Sequence, residues 1–205
     1  ERFTMKKYSI DEEVDRLTHF IREKGGDAVK ISADQIVTGE WVRMKCLFGC
    51  NGFGRRFSCP PYTPTPAETR AALDCYSCAL LVRFEGDVGE TTPERLVSRE
   101  MTRYVQTVMF ELEEMAFYDG FYKAFGYTGH QCGWCGKCVA KEKGAVITDC
   151  KNRRKMRPSM EAAGIDVYAT CANVGWNLDV LECNEVEGGS VLVSPMTTVM
   201  LLLIE

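Results

Sequence analysis

Three cysteines fall at i, i+3 and i+6 in Cys132-Gly133-Trp134-Cys135-Gly136-Lys137-Cys138, and a fourth, Cys150, follows after eleven more residues. A loosely coiled backbone turns thiolates at this spacing toward one point, which is how a chain wraps an iron–sulfur cluster. Gly133 and Gly136 let the chain pass close to the metal. Structural zinc is the alternative, since it also takes four thiolates. Zinc sites usually pair two separate C-x2-C knuckles. Here three cysteines are consecutive and the fourth is remote, which favours a [4Fe–4S] cluster.

A second constellation is Cys46-x3-Cys50-x8-Cys59, followed by Pro60-Pro61 and interleaved with Gly49, Gly52 and Gly54. Proline directly after a cluster cysteine occurs in bacterial ferredoxin runs. The spacing begins like the C-x3-C-x2-C of radical enzymes that use S-adenosylmethionine, but the third position is Phe53, which removes that reading. Plain buried thiols are the bland alternative, yet those favour regular apolar segments over a glycine-rich loop. Three thiolates leave one iron open as a Lewis acid, whereas four confine a cluster to electron transfer or structure. Cys171 or Cys183 are candidates for the missing fourth ligand. Exchange is a further option, with Cys59 completing the Cys132 set and Cys150 completing the first, as in two-cluster ferredoxins. Cys75 and Cys78 have the spacing of a redox dithiol, but they lie at an expected helix end rather than a helix start, so a structural role is favoured.

Around these cysteines the chain offers little other chemistry. Only two histidines occur. His19 falls on an expected helix and reads as solvated. His130, just before Cys132, is either a donor tuning the metal or a surface residue. The basic run Lys151, Arg153, Arg154, Lys155 and Arg157 reads as a solvated face, a stabiliser of a reduced cluster, or a dock for an acidic redox partner. Nucleic acid is disfavoured, because no aromatic platform interleaves these charges. Arg55 and Arg56 add charge near the first constellation. There is no Walker loop, Rossmann fingerprint, nucleophile elbow or Ser-His-Asp set.

The chain has 205 residues, 45% apolar and 26% charged, with a net charge of -4. That is enough to build a core without covalent staples, so its 11 cysteines, an odd number, are not a disulfide framework. Residues 1–24 contain no signal-peptide core, and the apolar run at 199–204 is too short to span a membrane. The expected location is a reducing cytoplasm, with no membrane association. Residues 1–4 read as an addition ahead of a start at Met5.

Several elements must position the cysteines. Ser9-Ile10-Asp11-Glu12 forms a capping box, with Val14, Leu17, Phe20 and Ile21 on one helical face and Gly25-Gly26 as the stop. Val29 and Ile31 mark a strand, and residues 36–44 another. Residues 45–66 read as loop. Thr65-Pro66-Ala67-Glu68 caps a helix running to Asp74. Residues 79–84 form a buried strand. Thr92-Pro93-Glu94 opens the longest helix, whose stripe runs from Val97 through Met101, Val105, Val108 and Leu112, with Gly120 ending it. Residues 122–127 read as a strand, 159–163 as a short helix stopped by Gly164, 165–176 as a helix, and 197–204 as a last strand. Helices and strands alternate.

The segments from Lys45-Cys46 to Cys50, from Ser58-Cys59-Pro60-Pro61 to Pro66, from Cys132 to Cys138, and Arg157-Pro158-Ser159-Met160-Glu161-Ala162 with Gly164-Ile165-Asp166-Val167 occur in this order. Together they resemble the predicted metal-binding proteins of unknown function found mainly in anaerobic bacteria and archaea. The resemblance runs roughly from Val37 to the C-terminus. It implies metal binding through the cysteines named, as iron–sulfur clusters in an anaerobe. It implies no particular reaction, and Cys75 and Cys78 lie outside it.

The resulting expectation is one α/β domain over 1–205, a single mixed sheet packed with helices. It carries cysteine loops at 45–66 and 130–158, the second lying beside the first or forming a small ferredoxin-like lobe. Metal is assigned to Cys46, Cys50, Cys59, Cys132, Cys135, Cys138 and Cys150, as one or two [4Fe–4S] clusters, passing single electrons to or from a redox partner protein. One alternative is an enzyme using an open iron on a small anionic substrate, held by Arg55, Arg56 or the basic run. The other is a structural zinc module that presents a surface to a partner.

Overall fold

A computed structural model describes residues 6–93, 96–192 and 195–205. Helix α1 (Ile10–Glu23) starts as its capping box requires: Glu12 N donates to Ser9 Oγ, and Ser9 N donates to the Glu12 carboxylate. It ends ahead of Gly25, which takes φ 79°. Strand β1 (Asp27–Ser32) follows, then α2 (Glu40–Gly49), α3 (Pro66–Leu73) and β2 (Cys78–Glu85). The chain continues through α4 (Arg99–Tyr118), β3 (Phe125–Tyr127), α5 (Val167–Ala172), β4 (Cys183–Val186), β5 (Gly189–Leu192) and β6 (Thr197–Leu203).

The main sheet has the order β1-β2-β6-β3, and every neighbouring pair is antiparallel; β4 and β5 form a separate hairpin. The expected single mixed sheet is therefore corrected to an antiparallel sheet plus a hairpin. The physical reason lies in β2 and β6. Successive side chains point to opposite faces of a strand. Leu80, Val82, Met200 and Leu202 pack against α1 and α4, while Ala79, Leu81, Leu201 and Leu203 pack with Ile31, Leu73, Ile165 and Cys171 on the other side. Both faces are covered, so the strands are apolar throughout, the pattern usually seen in parallel sheets. Alternation of helices and strands does not fix direction when long excursions separate the strands.

Several boundaries move. The strand expected at 36–44 is absent, and helix α2 occupies Glu40–Gly49, so the cysteine loop begins only after Gly49. Trp41, Val42, Lys45 and Cys46 share one side of this helix, a helical period that a search for alternation misreads. The longest helix opens at Ser98, whose Oγ accepts from Met101 N (2.8 Å), rather than at Thr92-Pro93; Glu94 lies outside the described residues, as does Met5. The helix expected over 165–176 is confined to α5, capped by Asp166. Residues 161–163 form one 3-10 turn, closed by Gly164 at φ 81°.

That turn ties the two cysteine regions to the sheet. Thr128, at the end of β3, donates its N–H to Pro158 O (2.8 Å) and accepts from Met160 N (3.0 Å). The excursion from 129 to 157 thus leaves and returns at one point. Beyond it, Ala163 O accepts from Thr69 Oγ1 (2.7 Å) on α3, and Gly164 O accepts from Gly39 N (2.9 Å) ahead of α2. Ala162 O accepts from Thr63 Oγ1 and from Arg43 Nη1 (3.1 Å). A Cβ on Gly164 would both require a left-handed side chain and overlap the Pro66 ring. Gly164→Ala is therefore expected to cost about 2–4 kcal/mol in urea unfolding, from the left-handed penalty and overpacking together. A cost below about 1 kcal/mol, the low end of the left-handed penalty alone, would refute this account.

Candidate metal centre

Helix α2 brings the first thiols together. Cys46 lies in its last turn and Cys50 follows as its C-cap, already in extended backbone, and both face one cavity. The chain then turns through Gly52 and Gly54 and returns at Cys59, with Gly54 N donating to Pro60 O (2.8 Å). Cys46, Cys50 and Cys59 all line one cavity of about 440 Å³, walled by Trp41, Phe53, Pro60 and Tyr168. Cys50 Sγ accepts from Gly52 N (3.4 Å) and from Gln131 Nε2 (3.2 Å). Cys46 Sγ sits 3.9 Å from Glu161 O. Burial pushes the Cys59 thiol up to about 12; Ser58 and Arg56 oppose this, and Cys50 adds to it. A Cβ on Gly52 would stand 3.2 Å from Cys59 Sγ and 2.7 Å from Gln131 Nε2, so a side chain there would push Gln131 aside.

The second set is built on an irregular loop. Burial pushes Cys132 up to about 11, against a backbone N–H from Trp134, with neighbouring Cys150 and Cys135 raising it further. Cys135 Sγ accepts from Asn152 Nδ2 (3.1 Å). Trp134 Nε1 donates to Lys155 O (3.2 Å), which draws the far side of the loop back over its start. Cys138 and Cys150 are half-buried. Cys59 stands with Cys46 and Cys50, and Cys150 stands near Cys132. Among the described residues, no group of three His, Cys, Asp or Glu side chains has the geometry to hold one metal ion.

The two regions touch. Gln131 joins them, donating to Cys50 Sγ while its carbonyl oxygen accepts from Arg56 Nε (2.9 Å). Arg56 Nη1 also donates to Cys132 O (2.8 Å), and Cys132 N donates to Ser58 Oγ (3.2 Å). Gln131, Ser58 and Asn152 escaped the sequence reading. Their only signal was a side-chain amide or hydroxyl one or two positions from a candidate ligand.

The other cysteines stand elsewhere. Cys171 is fully buried on α5, and Cys183 is exposed on the β4 hairpin; neither lines the Cys46 cavity. Cys78 is buried at the start of β2, and Cys75 is exposed just beyond α3. His19 is exposed. His130 is half-buried, not a surface residue: it lines both cavities, shares a hydrogen bond with Thr198 Oγ1 (2.9 Å), and desolvation lowers its pKa to about 4.

The basic run divides. Arg157 forms a two-pronged pair with Glu113, each side chain only 14% exposed, and Lys155 lies over the Phe110 and Trp134 rings, so these two cations serve the fold. Arg55 and Arg56, expected to hold an anion at the Cys46 set, line a different cavity with Cys132 and Cys135. The Cys46 cavity instead includes Lys45, Glu161 and Asp166.

A family model described as "Predicted metal-binding protein (DUF2284)" matches residues 29–204. No curated protein and no solved structure matches the chain.

Arg56→Ala removes two of the hydrogen bonds between the cysteine regions and leaves those of Gln131 with Cys50 and of Cys132 with Ser58. The expected result is a loss of about 1–3 kcal/mol in urea unfolding, together with faster proteolysis within residues 130–158. Unchanged proteolysis there would show that the loops do not depend on this bridge.

Proposed function

The chain belongs to the DUF2284 family of predicted metal-binding proteins, and we propose that its metal is iron, held as iron–sulfur clusters. In this reading Cys132, Cys135, Cys138 and Cys150 form one set, and Cys46, Cys50 and Cys59 form the other. The observation that carries it is the aiming of N–H donors at sulfur. Gly52 N and Gln131 Nε2 point at Cys50, Asn152 Nδ2 at Cys135, and the Trp134 backbone N–H at Cys132. A neutral thiol is a weak acceptor, whereas iron-bound thiolate is a strong one, and such donors tune cluster potentials. Burial favours the neutral thiols of Cys59 and Cys132, so they are poor nucleophiles and a metal bound there would have to displace their protons. When bound, a cluster supplies reversible one-electron chemistry.

The residues of this chain then have defined tasks. Gln131 hydrogen-bonds Cys50 and is the covalent neighbour of Cys132, giving a short path for an electron between the two sets. Phe53, Pro60 and the α2 side chains Trp41 and Val42 limit water at the first set. The electron passes to or from a redox partner protein, in the reducing cytoplasm of an anaerobe. Among the described residues no helix is long and apolar enough to cross a membrane.

Anaerobic purification tests the reading. Iron and acid-labile sulfide in equal amounts, with visible charge-transfer absorption that bleaches on reduction, are expected. A colourless protein with stoichiometric zinc would overturn it in favour of the structural-zinc alternative. Gln131→Leu is expected to lower the reduction potential of the cluster at Cys50, because the extra electron loses an N–H donor. An unchanged potential in that variant would remove Gln131 from this role.

A further inference from the structure

A second cavity, of about 530 Å³, lies between the two cysteine regions and the first turns of α4. Arg55, Arg56, Arg99, Arg103 and Lys141 line it, and no carboxylate does among the described residues. This is a strong local excess of positive charge in a chain whose net charge is -4. Arg56 is already held by Gln131 and Cys132. The other four cations are exposed, and their side chains have no hydrogen-bond or ion-pair partner among the described residues.

Two of them sit where helix physics disfavours them. Arg99 is the first residue of α4, at the positive end of the helix dipole, and Arg103 is one turn further on, where the two like charges repel each other. The Asp87 carboxylate, bonded to Ser98 N, and Glu100 in the first turn offset the dipole at this end, but neither lines the cavity or pairs with these two guanidinium groups. The cavity falls within the size range of small-molecule sites. Guanidinium forks match the paired oxygens of phosphate and carboxylate groups.

We propose that this cleft binds a small polyanion, a molecule carrying two or more phosphate or carboxylate groups, beside Cys132 and Cys135. Arg55, Arg99, Arg103 and Lys141 hold the charges, and Leu96 and Val97 supply the apolar part of the wall. The site requires no particular metal at the neighbouring thiols, because the cations and the cavity stand on their own.

Calorimetric titration of the protein as purified anaerobically, with inorganic pyrophosphate and separately with citrate, tests the proposal. At least one of the two is expected to bind saturably and to weaken as salt is raised. Binding of pyrophosphate alone assigns phosphate groups, and binding of citrate alone assigns carboxylates. R99Q/R103Q is expected to weaken binding at least roughly tenfold while melting no lower than the parent and keeping its metal. Should that variant fold poorly, K141Q carries the same comparison. Absence of binding by both anions, or equal binding by the variants, overturns the proposal. Loss of the iron assignment with anion binding intact overturns the reading of the metal and leaves this one standing.

Discussion

Three consecutive backbone carbonyls, those of Ala162, Ala163 and Gly164, accept hydrogen bonds from elements far apart in the chain: Thr63 and Arg43, Thr69, and Gly39. A backbone oxygen left unpaired in this partly buried place would cost more than the bond is worth when made. The turn therefore has one satisfactory arrangement. In that arrangement the start of α2, the exit from the first cysteine loop and the start of α3 all converge on it. Immediately before it, Pro158 and Met160 bracket Thr128, which closes the second cysteine region on the edge of the sheet. The turn thus adds to the direct bonds that Gln131, Arg56 and Ser58 make between the two cysteine regions.

The sheet supplies rigidity and takes no direct part in the chemistry. Its two central strands are buried on both faces, and α1 with α4 covers one side while α3, α5 and the turn cover the other. Buried aliphatic side chains contribute about 1.5–3 kcal/mol each, so such a core easily supports irregular excursions at its margin. The cysteine regions are attached to that margin through hydrogen bonds and contribute few residues to the core. This division suits a metal protein, in which loops must follow the ligand geometry while the scaffold holds them in register.

Charge is partitioned as sharply as polarity. The cavity at Cys46, Cys50 and Cys59 is mostly apolar and includes Lys45, Glu161 and Asp166, while the cavity at Cys132 and Cys135 has guanidinium groups and no carboxylate among the described residues. His130 and Gln131 stand between them and line both. Adjacent sites of opposite character in one protein can treat neutral and anionic partners differently, since desolvation penalises charge in the first and Coulomb attraction favours anions in the second.

Much of this was legible in residues whose meaning is local. The capping boxes at Ser9 and Thr65, the stops at Gly25 and Gly164, and the apolar runs of β2 and β6 act within a few positions of themselves, so the sequence states them directly. The cysteine spacings are local in the same sense, and the family match over residues 29–204 spans both sets. Strand direction was not legible, because a strand buried on both faces shows the same pattern in either orientation. Helix α2 was missed because one turn carrying Val42 and Cys46 has too few buried positions to declare a period. Gln131, Arg99 and Arg103 were invisible as cavity residues for a different reason: the residues that share the cavity with them lie tens of residues away. The types and spacing of the thiols were settled by the sequence alone, since a chain can bend only so far between neighbours. Which thiols share a cavity, and which cations face them, was decided only when the sheet and the 162–164 turn brought distant segments together.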